Sequence, residues 1–301
     1  MSDGTLRGVI TPILTPFNDD GSIAEDLYVW NGARILAQGG HYLSPFGTTG
    51  EALSVSPRER RKAIEALVDG GAAKPEQLMP GTGFCSLDET VELTRFALEL
   101  GCAGVMTLPP FFYKNATDEG LYRYFGELIE AIGSDRLKIC LYHIPPMAVI
   151  GFSPTLTARL AEAYPDTIVA YKDSSGDWDN TRAVLHMAPS LSIFPGSELF
   201  LVDAWRNGGA GCISATCNVN MPAIRATYDA LDAGDAAEAD RLNAEIRACR
   251  LTVQAEGPIP AMKAMLAART GDKRWLNLRA PLLNGDIEVG KRLADELEFE
   301  I

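Results

Sequence analysis

Between residues 8 and 215, eight short apolar runs alternate with helical patterns: 8–17, 41–46, 78–82, 104–108, 138–144, 168–172, 191–194 and 211–215. Each runs into a loop, polar after some runs and opened by a Pro-Pro pair after the fourth and fifth, after which the apolar residues take up the three- and four-residue spacing of a helix. A strand followed each time by a helix lies parallel to its neighbours and is covered on both faces, so it reads as a continuous apolar run. Eight repeats of strand, loop and helix argue an α/β chain folded as a closed (β/α)8 TIM barrel. An open doubly wound sheet is the competing arrangement. It does not require eight strands, and no G-x-G-x-x-G follows the first run.

The punctuation supports the alternation. Ser56-Pro57-Arg58-Glu59 and Ser86-Leu87-Asp88-Glu89 are helix starts with a capping hydroxyl and a glutamate three residues on, while Gly39-Gly40, Gly70-Gly71, Gly101 and Gly208-Gly209 read as helix stops. After Met221-Pro222 the strand signals cease. Residues 223–251 are helical, broken only at Ala233-Gly234-Asp235, and 261–269 are helical again. The expected organisation is a catalytic barrel over 1–222 and a C-terminal helical extension over 223–301. The extension would pack on the barrel, covering a face or making a subunit contact.

Charge narrows the partners. The chain carries 27 Lys and Arg against 40 Asp and Glu, a net charge of -13, with no basic block. Nucleic acid and anionic membrane are therefore excluded as expected partners. No run of about 18 apolar residues exists to span a bilayer. The first residues, Met1-Ser2-Asp3-Gly4-Thr5-Leu6-Arg7, lack the pattern of a signal peptide, and the six cysteines are scattered without C-x-x-C. The expectation is a cytoplasmic protein with reduced cysteines. His41, His143 and His186 lie far apart, so no metal site is expected.

In such a barrel the chemistry belongs at the carboxyl ends of the strands. Thr48, Thr49 and Glu51 follow the second run; Phe111, Phe112 and Tyr113 the fourth; Tyr142, His143 and Met147 the fifth. Lys172 ends the sixth; Gly196, Ser197 and Glu198 follow the seventh; Ile213, Ser214 and Thr216 close the eighth. Lys172 stands between the apolar run Ile168-Val169-Ala170-Tyr171 and the polar turn Asp173-Ser174-Ser175-Gly176. A lysine held in a buried strand is drawn toward its neutral form and becomes a nucleophile for carbonyls, the chemistry of Schiff-base enzymes. The plainer reading is a lysine that snorkels to solvent or pairs with Asp173.

Three motifs give the chain a resemblance to the dihydrodipicolinate synthase / N-acetylneuraminate lyase family of class I aldolases. Gly47-Thr48-Thr49-Gly50-Glu51 is similar to the family's G-[ST]-T-G-E loop. Tyr142 with Ile144-Pro145 is similar to its Y-N-x-P stretch, and Tyr171–Asp177 to its Schiff-base lysine segment. The resemblance runs from Gly8 to about residue 283, with the motifs on strands two, five and six.

The resemblance implies that Lys172 forms an imine with pyruvate or another 2-oxo acid, with no cofactor beyond that covalent bond. Tyr142 is then the proton carrier. A tyrosine's ordinary pKa near 10 calls for hydrogen-bonded help, which Thr49 would relay. A tyrosine from a neighbouring subunit would continue the relay. Counting back from Glu119-Gly120-Leu121-Tyr122 gives Tyr113, whereas counting forward from the strand gives Phe111, which cannot relay. Thr48 and Thr49 would hold the substrate carboxylate, Ile213 would offer its carbonyl, and Gly196 and Ser197 would meet the distal part of the substrate. His143 stands where the family has Asn and reads as a supporting residue. The family's usual assembly implies a homotetramer or dimer of dimers.

One position departs. Where the synthases carry an arginine for the second substrate's carboxylate, this chain has Met147. Methionine offers apolar surface and cannot pair an anion. The favoured activity is therefore a lyase or aldolase acting on a 2-keto-3-deoxy sugar acid or a 4-hydroxy-2-oxo acid. The alternatives are condensation of pyruvate with aspartate semialdehyde, dehydration or deamination through the same imine, and a non-catalytic 2-oxo-acid binder.

Overall fold

The computed structural model describes residues 6–301. In chain order the elements are β1 (Gly8–Thr11), α1 (Glu25–Ala37), β2 (Tyr42–Leu43), α2 (Pro57–Asp69), α3 (Leu87–Leu100), β3 (Val105–Thr107) and α4 (Asp118–Ile132). There follow β4 (Ile139–His143), α5 (Pro145–Ala148), α6 (Pro154–Ala163), β5 (Ile168–Asp173), α7 (Trp178–Met187), β6 (Ser192–Pro195), α8 (Leu201–Arg206) and β7 (Gly211–Ile213). The helices α9 (Cys217–Asp232), α10 (Ala236–Ala255), α11 (Pro258–Thr270) and α12 (Ile287–Glu296) complete the chain. One compact unit comprises Pro75–Ile213 with the segment ending at Gly8; the other comprises Val9–Lys74 and Ser214–Ile301.

The first unit is built on a parallel sheet in the order β3-β4-β5-β6. Period-two alternation sorts its side chains. Val105, Ile139, Leu141, Tyr171 and Ile193 join the core formed with Leu121, Phe125, Phe152, Leu156, Leu160 and Val184 from the covering helices and the loop before α6. Phe125 and Phe152 meet edge to face at 5.2 Å, a contact that adds ~0.5–1.5 kcal/mol beyond burial. On β4 and β5 the intervening residues, Cys140 and Tyr142, Ala170 and Lys172, face the other way.

The third apolar run forms no regular strand. Pro80 has no N–H to give a ladder. Residues 78–82 nevertheless lie parallel to β3: Thr82 N–H donates to Met106 O, Met106 N–H to Pro80 O, and Gly81 and Met106 form a bridge. The eight expected runs thus appear as seven strands and one Pro-interrupted parallel segment among the described residues.

In the second unit β1 and β2 pair in parallel, Ile10 with Tyr42 and Thr11 with Leu43. At α2 the Ser56 hydroxyl accepts from Glu59 N–H, and the Glu59 carboxylate accepts from Ser56 N–H. The helical region is larger than its sequence pattern. α9 begins at Cys217 and kinks at Asn220, where Pro222 cannot supply the helical N–H. α12 went unrecognised in the sequence. It packs on α11 around Met262, Met265, Leu266, Trp275 and Leu293. Gly290 allows this: a β-carbon there would sit 2.2 Å from the Ala264 carbonyl oxygen.

Candidate active site

β4 and β5 pair in parallel, and Tyr142 is the register partner of Lys172. The two side chains share the face turned away from the covering helices, and Lys172 Nζ lies 4.2 Å from the centre of the Tyr142 ring. Lys172 is only 3% exposed and Tyr142 equally so. Cys140 shares that face. Burial pushes its thiol up to about 12, with the nearby Lys172 charge acting in the opposite sense.

Lys172 does not pair with Asp173. The next residue on a strand points to the opposite face, and the Asp173 carboxylate is satisfied there. Its Oδ2 accepts from Asn180 Nδ2 at 2.7 Å and Thr181 Oγ1 at 2.8 Å, and its Oδ1 from Ser175 N–H at 2.8 Å. Snorkelling to solvent is equally inconsistent with the burial of Lys172.

The loops leaving the strands are tied together. Ser174 N–H donates to His143 O at 2.7 Å, and Gly196 N–H donates to Asp173 O. Ser197, half-buried, accepts Leu199 N–H on its hydroxyl at 3.3 Å and starts the next turn. Ile213 is fully buried at the end of β7.

His143 supports the neighbouring loop. Its Nδ1 accepts from Phe152 N–H at 2.9 Å, and its ring stacks on Tyr171. That bond requires an unprotonated Nδ1. Burial holds the imidazole below its ordinary pKa, against the opposing effect of Asp173. Gly151 leaves room for the ring: a β-carbon there would stand 2.3 Å from Nδ1.

Tyr113 and Met147 stand at the surface of the same unit, 72% and 69% exposed. Their loops are joined by Lys114, whose Nζ donates to Phe111 O at 2.7 Å and Ala148 O at 3.2 Å. Phe111 packs on the core, whereas Phe112 and Val149 are exposed beside Tyr113 and Met147 in sequence. Pro145 and Pro146 form the first turn of α5. Proline is tolerated there because the first helical N–H groups have no partner within the helix.

In the second unit the Gly47–Glu51 stretch forms a 3-10 turn over Thr48–Gly50. Thr49 is buried and Thr48 half-buried. Glu51 follows with φ 54 and ψ 37, in the left-handed region. Its carboxylate meets Lys263 of α11: Lys263 Nζ donates to Glu51 Oε1 at 2.7 Å, Thr15 O at 2.8 Å and Asn277 O at 2.6 Å. Burial pulls the Lys263 ammonium down to about 8, while Glu51 works to keep it charged. Sequence reasoning missed Lys263. The available signal was a single lysine inside the otherwise uncharged run Pro258-Ile259-Pro260-Ala261-Met262-Lys263-Ala264-Met265-Leu266.

Among the described residues no cluster of three or more His, Cys, Asp or Glu side chains is arranged to hold a metal, and no helix is long and apolar enough to cross a membrane. The six cysteines are free thiols; Cys140, Cys212 and Cys217 are buried, and Cys85 is exposed.

The profile of the dihydrodipicolinate synthetase family matches residues 5–299. An uncharacterized DapA-like lyase of Chloroflexus aurantiacus is 34% identical over 92% of this chain and 91% of its own length. A 4-hydroxy-tetrahydrodipicolinate synthase of Rhodospirillum centenum is 33% identical over 79% of each chain. The crystal structure of dihydrodipicolinate synthase from Agrobacterium tumefaciens superposes with a TM-score of 0.87 at 29% identity, covering 97% of this chain and 99% of that one. The fold is thereby the α/β (β/α)8 barrel with a C-terminal helical extension.

Proposed function

The chain belongs to the dihydrodipicolinate synthetase family, and from that membership we propose that it is a Schiff-base lyase whose nucleophile is Lys172. The observation that carries the reading is the buried Lys172 amine against the ring of its register partner Tyr142. The Lys172 amine adds to the ketone carbon of a 2-oxo acid, water leaves, and an imine forms. In cleavage the 4-hydroxyl proton passes to Tyr142, the C3–C4 bond breaks, and an aldehyde departs. The bonding pair stays on C3 as an enamine. Protonation at C3 and hydrolysis of the imine return pyruvate and the free amine. Condensation runs through the same steps in reverse.

The Thr48 and Thr49 hydroxyls, with the Thr49 N–H, hold the substrate carboxylate, the role to which short turns of this kind are suited. Thr49 relays the Tyr142 proton. Ile213 presents its carbonyl to the bound acid, and Gly196 and Ser197 meet the distal hydroxyls. Tyr113 completes the relay from a second copy of the chain. The exposure of Phe112, Tyr113, Met147 and Val149 on two joined loops supports such a partner. The assembly proposed is a homotetramer or dimer of dimers working in the cytoplasm. Residues 1–222 form its catalytic barrel and 223–301 its extension.

For the second substrate, Met147 favours a neutral polyol chain or an apolar group over a carboxylate. Lacking a bidentate arginine costs an anionic aldehyde on the order of 2–5 kcal/mol. The substrate proposed is a 2-keto-3-deoxy sugar acid or a 4-hydroxy-2-oxo acid. The second reading, condensation of pyruvate with aspartate semialdehyde, is favoured by the synthase relatives.

Borohydride reduction in the presence of pyruvate tests the mechanism. A mass gain mapped to Lys172 and absent from Lys172→Ala is expected. No adduct with pyruvate or longer 2-oxo acids overturns it. Turnover of aspartate semialdehyde above that of the sugar acids would instead establish the second reading.

A further inference from the structure

The geometry points to Glu51 and Lys263 as positioning residues that fix the Thr48–Thr49 turn for a substrate carboxylate. This rests on the reading of that turn as the carboxylate-holding loop. Glu51 ends the turn over Thr48–Gly50 and begins the one over Ala52–Ser54, and it does so at positive φ. A side chain other than glycine's is strained in that conformation and needs its surroundings to hold it there.

The surroundings are specific. Lys263 has three ammonium protons, and each has an acceptor: the Glu51 carboxylate, the Thr15 carbonyl and the Asn277 carbonyl. The other Glu51 oxygen accepts from Arg279 N–H at 3.0 Å. Arg279 Nη1 donates to the Ser54 carbonyl at 2.7 Å. Thr15 also donates its hydroxyl to Gly50 O at 2.8 Å. The turn is therefore held on its buried side by α11 and the segment after it. Within the turn, bonds consume the N–H groups of Gly50, Glu51 and Ala52.

Stability alone does not account for the pair. A fully buried ion pair is weak as a stabilising device, since apolar residues of equal volume commonly do as well. What the pair supplies is direction: two carboxylate oxygens and three ammonium protons fix one backbone course through Glu51. Displacing catalytic groups by about 1 Å can cost roughly 100-fold, so a turn carrying two substrate-binding hydroxyls has reason to be fixed this way.

The test measures borohydride trapping at Lys172 with two ketones, pyruvate and hydroxyacetone, which lacks the carboxylate. Glu51→Gln keeps the side-chain shape but turns one of its two acceptors into a donor, Lys263→Met removes the cation, and the double variant leaves no charge unpaired. Thermal melts monitor folding. Half-saturating pyruvate is expected to rise about 10-fold in Glu51→Gln and about 100-fold in Lys263→Met, with hydroxyacetone trapping unchanged. Equal losses with both ketones, or unchanged pyruvate saturation in folded variants, overturn the inference while leaving Lys172 as the nucleophile. Absence of any wild-type adduct overturns the Schiff-base reading itself, and this inference with it.

Discussion

Lys172 and Tyr142 are register partners on adjacent parallel strands, with the lysine nitrogen 4.2 Å from the centre of the tyrosine ring. Two functions of Tyr142 can be separated. Its ring packs against the amine, and its hydroxyl would carry the proton. Tyr142→Phe is expected to keep the borohydride adduct on Lys172 and to lower turnover by about 100- to 10,000-fold, the range of a lost general acid–base group. Single-turnover trapping beside steady-state rates reads the two apart. Loss of adduct and turnover together would show that the hydroxyl is needed for imine formation as well.

Met147 is exposed on α5, so a charged replacement there should cost less than about 0.5 kcal/mol of stability. Met147→Arg is expected to raise kcat/KM for an anionic aldehyde by roughly 10- to 100-fold, a modest share of what a desolvated charge pair supplies. Its effect on a neutral aldehyde should be small. An equal change for both would mean that the position does not face the second substrate.

Gly151 lets the His143 ring approach the backbone, and the ring in turn accepts the Phe152 N–H. Gly151→Ala is expected to destabilise the protein by ~1–3 kcal/mol through overpacking. Pairing it with His143→Ala, which removes the clash, should make the two substitutions non-additive. Urea unfolding of the two single variants and the double variant measures that coupling, and strict additivity would dismiss the contact.

Glu59 bonds Arg279 and also serves the α2 cap. The Arg279 guanidinium holds its carboxyl down at about 2, below the ordinary 4.5. Between those values the unfolded chain takes up a proton that the folded chain refuses. The contribution is complete above about 4.5 and is lost as pH falls toward about 2. The pair is partly solvated, so the effect is about 1 kcal/mol or less. Urea midpoints across that window should fall more steeply for the wild type than for Glu59→Gln, which keeps a capping acceptor. Identical slopes would remove the ion pair from the account.

The barrel was legible because each buried parallel strand leaves an apolar run and several helix starts, those of α2, α3, α4 and α6 among them, leave a capping residue. Lys172 stood out because a charged group ending an apolar strand is uncommon, and Tyr142 because its stretch resembles a family motif. What the sequence obscured has physical causes. Pro80 disrupts a ladder that residues 78–82 otherwise follow. Cys217 opens a helix whose pattern is masked by the kink at Asn220. Glu51 reads as a loop residue because its partner is Lys263, distant in sequence and itself disguised within an apolar helix. Long-range pairing of two charges leaves no periodicity to find.

The Glu51–Lys263 bond spans 212 positions of chain. During translation at about 5–20 residues per second, roughly 10–40 s separate the synthesis of its two ends. Throughout that interval the nascent Thr48–Thr49 turn lacks its ammonium anchor. If the anchor governs carboxylate binding, the turn of a ribosome-held chain grips a carboxylate poorly. Competence would then arrive late, once α11 has emerged from the exit tunnel.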